Sequence, residues 1–395
     1  METLKGNRRH FLKTAAVGAG AVTAHFTQSS RACAQNSGKT MLPPVTTDNL
    51  VAVLQELIFA RGPVGQEKEV RVISERLLKG LCDEVWIDEA ENVCGVIKGK
   101  GSKETPIVRI MAHMDENGML VKRVNADGTL RVRNLGGINP GNIGQGPVDI
   151  LADSGVIPGV LSLGPMHSSS ETPNPYATRT EAMAWNHMFV FTRKSAEELA
   201  KLGVHAGTLV AIAGERRTLF EVGDCIGGWF MDDRAGIAII LGALALLKEK
   251  KERPENDVYV AMTTQEEIGA IGASYASRKL PGDITLAVDV GPVASEYRTE
   301  LTADPIIAFG DGSSIYSKTV SNRLLELAQK EGIKTQTAVW ESYGSDASIS
   351  KRYGQSALSG LLCIATENTH GYEIITKEGL LSSARLLAEY MKKPV

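Results

Sequence analysis

The sequence predicts an α/β protein: a mostly parallel sheet sandwiched by helices, with a small β-barrel or sandwich domain inserted into it. Two observations predict the outer layers. Apolar strand-like runs alternate with helical ones, each strand ending in a polar residue, which argues for a mostly parallel sheet covered on both faces. The insertion is predicted by a change of texture between about Met119 and Glu221, where short β-like runs are punctuated by Gly and Pro. A chain of 395 residues, 43% hydrophobic and 23% charged, is long enough for two domains, or for one large domain carrying such an insertion.

The elements follow in order. Thr46-Thr47-Asp48 caps a helix whose apolar residues Leu50, Val53, Leu54, Leu57 and Ile58 keep the helical period. Gly62-Pro63-Val64-Gly65 breaks it, and a second amphipathic helix runs through Val70, Val72, Ile73, Leu77 and Leu78. Strands are expected over 84–88, 93–97 and 107–112, the last running into His113-Met114-Asp115-Glu116. The outer domain is assigned to 45–120 and 221–395, and the inserted β-rich domain to 121–220. Within the insertion, 165–184 reads as a long loop and 195–202 as a short helix. The outer domain resumes with Asp232-Asp233-Arg234-Ala235-Gly236 and an apolar helix over 237–247. A strand from Val258 then leads to Gln265-Glu266-Glu267-Ile268-Gly269. A short helix near 274–279, a buried-type strand ending at Asp289 and a helix over 321–331 come next. A loop at Gly344-Ser345-Asp346-Ala347, a turn holding His370 and a closing helix through Leu380, Leu387 and Ala388 complete the chain.

Residues 1–34 read as an address. Asn7-Arg8-Arg9-His10-Phe11-Leu12-Lys13 is a twin-arginine signature, followed by a weakly hydrophobic run rich in Gly and Ala. Ala32-Cys33-Ala34 offers small-x-small cleavage before Gln35. Cleavage before Cys33 as a lipoprotein is the lesser alternative, because Ser30-Arg31 fits that pattern poorly. The polar 35–44 stretch, ending in Pro43-Pro44, reads as a linker. The expectation is export through the twin-arginine translocation machinery to the periplasm or the outside, with no stable membrane insertion. Net charge is −3 and no basic stripe is interleaved with aromatics, so nucleic acid is not an expected partner. The five cysteines form no Cys-x-x-Cys pair and read as small buried hydrophobes.

Five metal-ligand types fall at strand ends or in the loops after them: His113, Asp232, Glu267, Asp289 and His370. Each alone has an ordinary explanation, such as a satisfied core histidine or a helix cap. Together they supply two imidazoles and three carboxylates, a set that suits two zinc-like ions sharing one carboxylate. Such a pair polarises a carbonyl and yields hydroxide near neutral pH. Glu266, beside a ligand but not spent on metal, is then free as general base and acid. Asp115, two residues past His113 on the same strand face, is placed to orient that imidazole through its other nitrogen.

These segments, from Ala112-His113-Met114-Asp115-Glu116 through Met231-Asp232-Asp233-Arg234-Ala235-Gly236, Glu266-Glu267, Asp289 and Gly344-Ser345-Asp346 to His370, resemble the glutamyl/leucyl (M42) aminopeptidase family of dinuclear-metal peptidases. The resemblance spans the mature chain in order. It implies that His113 and Asp289 hold one ion and Glu267 and His370 the other. Asp232 bridges them, Glu266 is the proton shuttle and Asp115 the orienting residue. It also implies a cis peptide bond between Asp232 and Asp233, and an insertion that serves for dimerisation, with assemblies from dimer to dodecamer. One departure is local: Ala365-Thr366-Glu367-Asn368-Thr369 precedes His370 where the family usually carries Arg-Tyr.

The expected function is removal of the N-terminal residue from short peptides by a metallo-aminopeptidase. Zinc is the first expectation for the two divalent ions, and cobalt or manganese suits the same donors. Residues near Asp311-Gly312-Ser313 and Gly344-Ser345-Asp346 are expected to shape the first pocket. A related deacylase or carboxypeptidase is the alternative. An endoglucanase-type glycoside hydrolase ranks below it, since that chemistry needs two opposed carboxylates and no metal.

Overall fold

The computed structural model describes residues 44–172 and 176–394. The expected signal over 1–34, and the linker over 35–44 apart from Pro44, lie outside the described residues.

The first helices form where capping and period agree. The Thr46 hydroxyl accepts a hydrogen bond from the Asn49 N–H and opens α1 (Thr47–Phe59), which buries Leu50, Val53, Leu54, Leu57 and Ile58. Next come α2 (Lys68–Leu78), β1 (Glu84–Ile87), β2 (Val93–Ile97) and β3 (Val108–His113). The barrel strands follow: β4 (Gly118–Val124), β5 (Leu130–Leu135), then the single turn α3 (Pro140–Ile143), β6 (Gly146–Ala152) and β7 (Gly155–Ser162). Further along the chain come β8 (Phe189–Phe191), α4 (Ala196–Lys201) and β9 (Leu209–Ile212). Strands β4-β5-β8-β7-β6-β9 close on themselves as a barrel. Closure leaves no unpaired edge and encloses a core of its own that includes Met119, Val121, Ile150, Leu161, Val190 and Val210.

The chain then builds the rest of the main sheet. Its elements are β10 (Phe220–Val222), β11 (Cys225–Trp229), α5 (Met231–Glu249), β12 (Val258–Thr263), α6 (Ile271–Lys279) and β13 (Ile284–Pro292). They continue with β14 (Ile306–Gly310), α7 (Lys318–Lys330), β15 (Gln336–Val339), α8 (Asp346–Arg352), β16 (Leu358–Glu367), β17 (Tyr372–Thr376) and α9 (Lys377–Lys392). The order is β1-β2-β12-β3-β13-β16-β17-β11-β10, with β14 and β15 joined to β16.

The sheet is mixed, which corrects the mostly parallel expectation. Its centre, β12-β3-β13-β16, is parallel, but β2, β17, β11 and β10 at the flanks pair antiparallel. Short turns join β1 to β2, β10 to β11 and β16 to β17 and so make those pairs antiparallel, while β12 and β13 are joined by the helical crossover α6 and run the same way. Central strands are buried on both faces, as alternation along β3 shows. Val108, Ile110 and Ala112 pack into the core with α1, α5 and α9, whereas Met111 packs on the other face with the alanines of α6.

Several local expectations change, among them the helix expected over 321–331, which starts at Lys318. The strand through Asp289 does not end there but continues to Pro292, paired with β16 throughout. Gly344-Ser345-Asp346-Ala347 is not a loop throughout, because the Ser345 hydroxyl accepts from the Ser348 N–H and starts α8 at Asp346. The helix expected near 274–279 begins earlier, at Ile271. Among the described residues Cys82, Cys94, Cys225 and Cys363 form no disulfide, and no helix is long and apolar enough to cross a membrane.

One buried ion triple ties the barrel to the main sheet. Glu116 leaves β3 for the barrel, Arg217 returns from it, and Arg234 lies in the first turn of α5. All three are fully or almost fully buried. Glu116 Oε2 accepts from Arg234 Nη2 at 2.7 Å and from Arg217 Nη1 at 2.9 Å, while its other oxygen accepts from Arg217 Nη2. Removing the carboxylate leaves two buried guanidinium groups without their counter-charge. Glu116→Ala is therefore expected to lose about 3–5 kcal/mol of stability in denaturant unfolding. A loss below about 1 kcal/mol, the range of surface ion pairs, would contradict the role assigned to this triple.

Candidate active site

Because β12, β3 and β13 run parallel, their C-terminal ends lie side by side, which is where α/β sheets present functional groups. Thr263 at the end of β12 stands in register with His113 at the end of β3. From these ends, and from the start of α5 and the β16–β17 turn, the residues singled out in the sequence converge.

Asp232 sits at the centre. Its Oδ1 lies 2.8 Å from His113 Nε2 and its Oδ2 3.4 Å from His370 Nε2, so each oxygen faces one imidazole. Glu267 Oε2 lies 3.6 Å from His370 Nε2. Donor atoms of His113, Asp232 and Glu267 fall within 4.8 Å of one another, and so do those of His113, Asp233 and Asp289. Asp233 in the second group has both oxygens engaged already: one accepts from the His113 N–H at 3.1 Å and the other from the Gly236 N–H at 2.9 Å. Its work is to hold the His113 backbone against the start of α5, which leaves Asp289 as the freer donor. The peptide bond between Asp232 and Asp233 is cis.

Both imidazoles are fixed from behind. His370 Nδ1 donates to the Gly137 carbonyl at 3.1 Å, and His113 Nδ1 to the Asp115 carbonyl at 3.2 Å. A carbonyl only accepts, so Nδ1 carries the proton in each ring and Nε2 is the atom presented to the carboxylates. Gly137 must be glycine for this contact, because a Cβ there would stand 2.7 Å from two atoms of the His370 ring.

Asp115 has a second task that the sequence did not disclose. Its carboxylate lies 3.5 Å from His113 Nδ1, as expected of an orienting group. The same two oxygens also accept from the backbone N–H groups of Glu266 (2.9 Å) and Glu267 (3.0 Å). Glu266 and Glu267 are thus not in extended chain but open a tight 3-10 turn pinned on Asp115. Glu266 Oε2 reaches to 4.0 Å from His113 Nε2. The turn is entered through Gln265 at φ 55°, and His370 itself has φ 56°. Left-handed conformations at such residues cost about 1 kcal/mol or more each, and they persist where surrounding contacts dictate them.

Glu373, not singled out in the sequence, completes the frame. It is 1% exposed, and its two oxygens accept from the N–H of Asp232 (3.1 Å) and the N–H of His370 (3.0 Å). One carboxylate therefore spaces two donor residues that lie far apart in the chain. The available signal was an acidic residue inside the otherwise apolar strand Tyr372–Thr376. Asn117 adds a hydrogen bond from its amide to Glu267 Oε1.

The electrostatics follow from crowding. Burial, then the neighbouring Asp232 charge, pushes the Asp289 carboxyl well above its ordinary range. Burial first, and then the same neighbour, raises Glu267 to about 7 and Glu373 to about 8. Glu266 is also pushed up, by burial and by Asp346, Asp289 and Glu267. Asp232 moves the other way, since its bonds to both imidazoles outweigh its burial. His370 is raised to about 11, burial notwithstanding, by Asp232 and Glu267. Carboxylates this close and this buried cannot all ionise unless positive charge lies among them. Two imidazole nitrogens and three carboxylates facing one space fit divalent cations with nitrogen and oxygen preference.

The family model for M42 glutamyl aminopeptidase matches residues 92–386. The chain belongs to that family. It is a metal-dependent aminopeptidase. The glutamyl aminopeptidase of Lactococcus lactis subsp. cremoris is 28% identical over 73% of this chain and 81% of its own length. An aminopeptidase of the archaeon Desulfurococcus kamchatkensis superposes with a TM-score of 0.79 at 28% identity, covering 88% of this chain and 95% of that one. A TET peptidase of Pyrococcus horikoshii, described as assembling into a tetrahedron or a large octahedral shell, shares the fold. Its TM-score is 0.76 at 23% identity, with 87% of this chain and 99% of that one covered.

The frame assigned to Glu373 makes a measurable difference to an M42 site. Loss of groups that hold metal ligands in place typically costs 10–100-fold in affinity. Glu373→Ala is expected to weaken binding of Zn²⁺ by roughly that factor in a competition titration against a chromogenic chelator. Unchanged affinity would show that the carboxylate holds nothing that matters to the metal.

Proposed function

We propose that this aminopeptidase removes the first residue of short peptides at a centre of two divalent ions, zinc by preference and cobalt or manganese as substitutes. His113 and Asp289 would hold one ion and Glu267 and His370 the other, with Asp232 shared between them. The observation that carries this reading is the position of Asp232, with one oxygen turned to each imidazole. Bound there, the ions would act as Lewis acids on the scissile carbonyl and on the attacking water.

The chain's own residues do the rest. Glu266 projects from the turn pinned by Asp115 and is not part of the donor set, so it is the base that takes the proton from water. Burial and like charges favour its protonated form, which suits the same group to deliver that proton to the leaving amine. Asp115 fixes the spacing between the Glu266–Glu267 turn and His113, and Glu373 the spacing between Asp232 and His370. Glu266 and Glu267 leave one turn together and are not a pair opposed across a cleft, so nothing here favours glycoside hydrolysis over peptide hydrolysis.

The same reading extends to assembly and address. The inserted domain, assigned to 121–220, serves self-association, from a dimer to a dodecamer; the Pyrococcus horikoshii TET1 peptidase, which shares the fold, is described as assembling into a tetrahedron or a large octahedral shell. The Arg8-Arg9 signature supports export by the twin-arginine machinery, which carries folded, metal-loaded proteins.

Glu266→Gln keeps the size and removes the titratable group. It is expected to bind Zn²⁺ normally while kcat falls about 10²–10⁴-fold on an aminoacyl-anilide. Retention of substantial turnover would remove Glu266 from the proton-transfer role. Exhaustive chelation is expected to abolish hydrolysis, and added Zn²⁺, Co²⁺ or Mn²⁺ to restore it. Activity that survives chelation, or a preference for N-acyl amino acids over aminoacyl-anilides, would contradict the assigned reaction.

A further inference from the structure

The donor residues open onto two hollows. One is a cleft of about 390 Å³ reached by Glu266, Glu267, Asp289 and His370, with Ser313, Tyr343 and Ile349 in its outer wall. The other is an apolar recess between Ile138, Ile143, Ile212, Trp229 and Phe230 that touches Asp232 and His370 but not Glu266 or Asp289. A bond that must lie within reach of both Glu266 and the donor set can only occupy the cleft. The side chain of the residue being removed then meets the cleft wall.

That wall carries no charge of its own. Among the described residues no Lys or Arg lines the cleft, and its only carboxylates are those of the donor set and Glu266. Three charged groups close by in sequence make contacts of their own. Asp311 accepts from the N–H groups of Ser313 and Ser314 with one oxygen and from the Tyr316 hydroxyl with the other. Asp346 is buried at 2% exposure and accepts from the Thr263 hydroxyl. Lys351, two residues beyond Ile349, gives its ammonium to the Ile315 carbonyl at 2.6 Å. Tyr343 donates its hydroxyl to the Val290 carbonyl at 2.8 Å and stacks near Trp340, so what it offers a ligand is ring. Ile349 adds an aliphatic surface and Ser313 a small polar one.

We propose that this enzyme selects substrates whose first side chain is uncharged, aliphatic or aromatic, and that Ser313, Tyr343 and Ile349 form the seat for it. The inference rests on the aminopeptidase reading above and departs from the glutamyl preference in the family's name. An acidic first side chain would find no Lys or Arg on the wall to receive it, and the metal ions proposed for the floor of the cleft are taken up by the donor set and the scissile group. A basic one would find only carboxylates already required by the metal centre. The apolar recess does not alter the conclusion, because its sole acidic members are Asp232 and Glu373, both engaged within the site.

The test uses the metal-loaded protein and a panel of aminoacyl 4-nitroanilides: Leu, Met, Phe, Ala, Glu, Lys and Arg. The expected result is a kcat/KM for Leu, Met or Phe on the order of a hundredfold above that for Glu, Lys or Arg, as an unpaired charge in a site without a partner demands. A Glu or Lys substrate at the head of the panel would overturn the proposal while leaving the aminopeptidase reading intact. Failure to cleave any anilide would overturn both. Ser313→Arg supplies the missing cation at the wall and is expected to raise the Glu-to-Leu ratio of kcat/KM at least about tenfold. An unchanged ratio would overturn the seat assigned to Ser313.

Discussion

Like charge gathered in a buried place is the constraint on which the rest of this structure depends. Asp232, Asp233, Glu266, Glu267, Asp289 and Glu373 converge on one end of the sheet, and burial pushes most of them away from ionisation. Left to themselves such groups would repel one another. They are held because backbone N–H groups are aimed at those that frame the site, while the others face inward with two imidazoles between them. The fold works as a clamp on a set of anions, and a divalent metal is the partner that relieves them.

The clamp is built from a few carboxylates that each do two jobs. Asp115 holds the Glu266–Glu267 turn and backs His113, Asp233 holds the His113 backbone and the start of α5, and Glu373 links Asp232 to His370. Each joins segments far apart in the chain, so the geometry of the donors is fixed by tertiary contacts and not by any one loop. Glu116 performs the same service for architecture, binding Arg217 and Arg234 where the barrel leaves and rejoins the sheet. The barrel has its own core and the sheet has another, so this triple lets an inserted domain sit on the rim of the site without distorting it.

The sequence brought forward the residues that converge better than the frame around them. His113, Asp232, Glu267, Asp289 and His370 stood out because each lies at a strand-like end or in the loop after it, where a charged group needs a reason. Glu373 did not, because its value lies in two N–H groups that only the folded chain brings to it. The direction of the flanking strands was equally hidden. Leu358–Glu367 is rich in Leu, Ser, Gly and Ala, without the β-branched alternation that marks a strand, yet it is a long strand next to the centre of the sheet. Ser345 shows the opposite case: a capping residue was present in the sequence, but the flanking glycine made the segment read as a loop.

The account stands on one carboxylate shared between two metal positions. The most direct measurement of that claim is the metal content of purified, folded protein by elemental analysis, compared with an Asp232→Ala variant whose fold is verified by circular dichroism. The account predicts about two divalent ions per chain for the natural sequence and loss of both from the variant at the same free-metal concentration, because each position loses a donor. A natural protein that binds none, or a variant that keeps two, would contradict it.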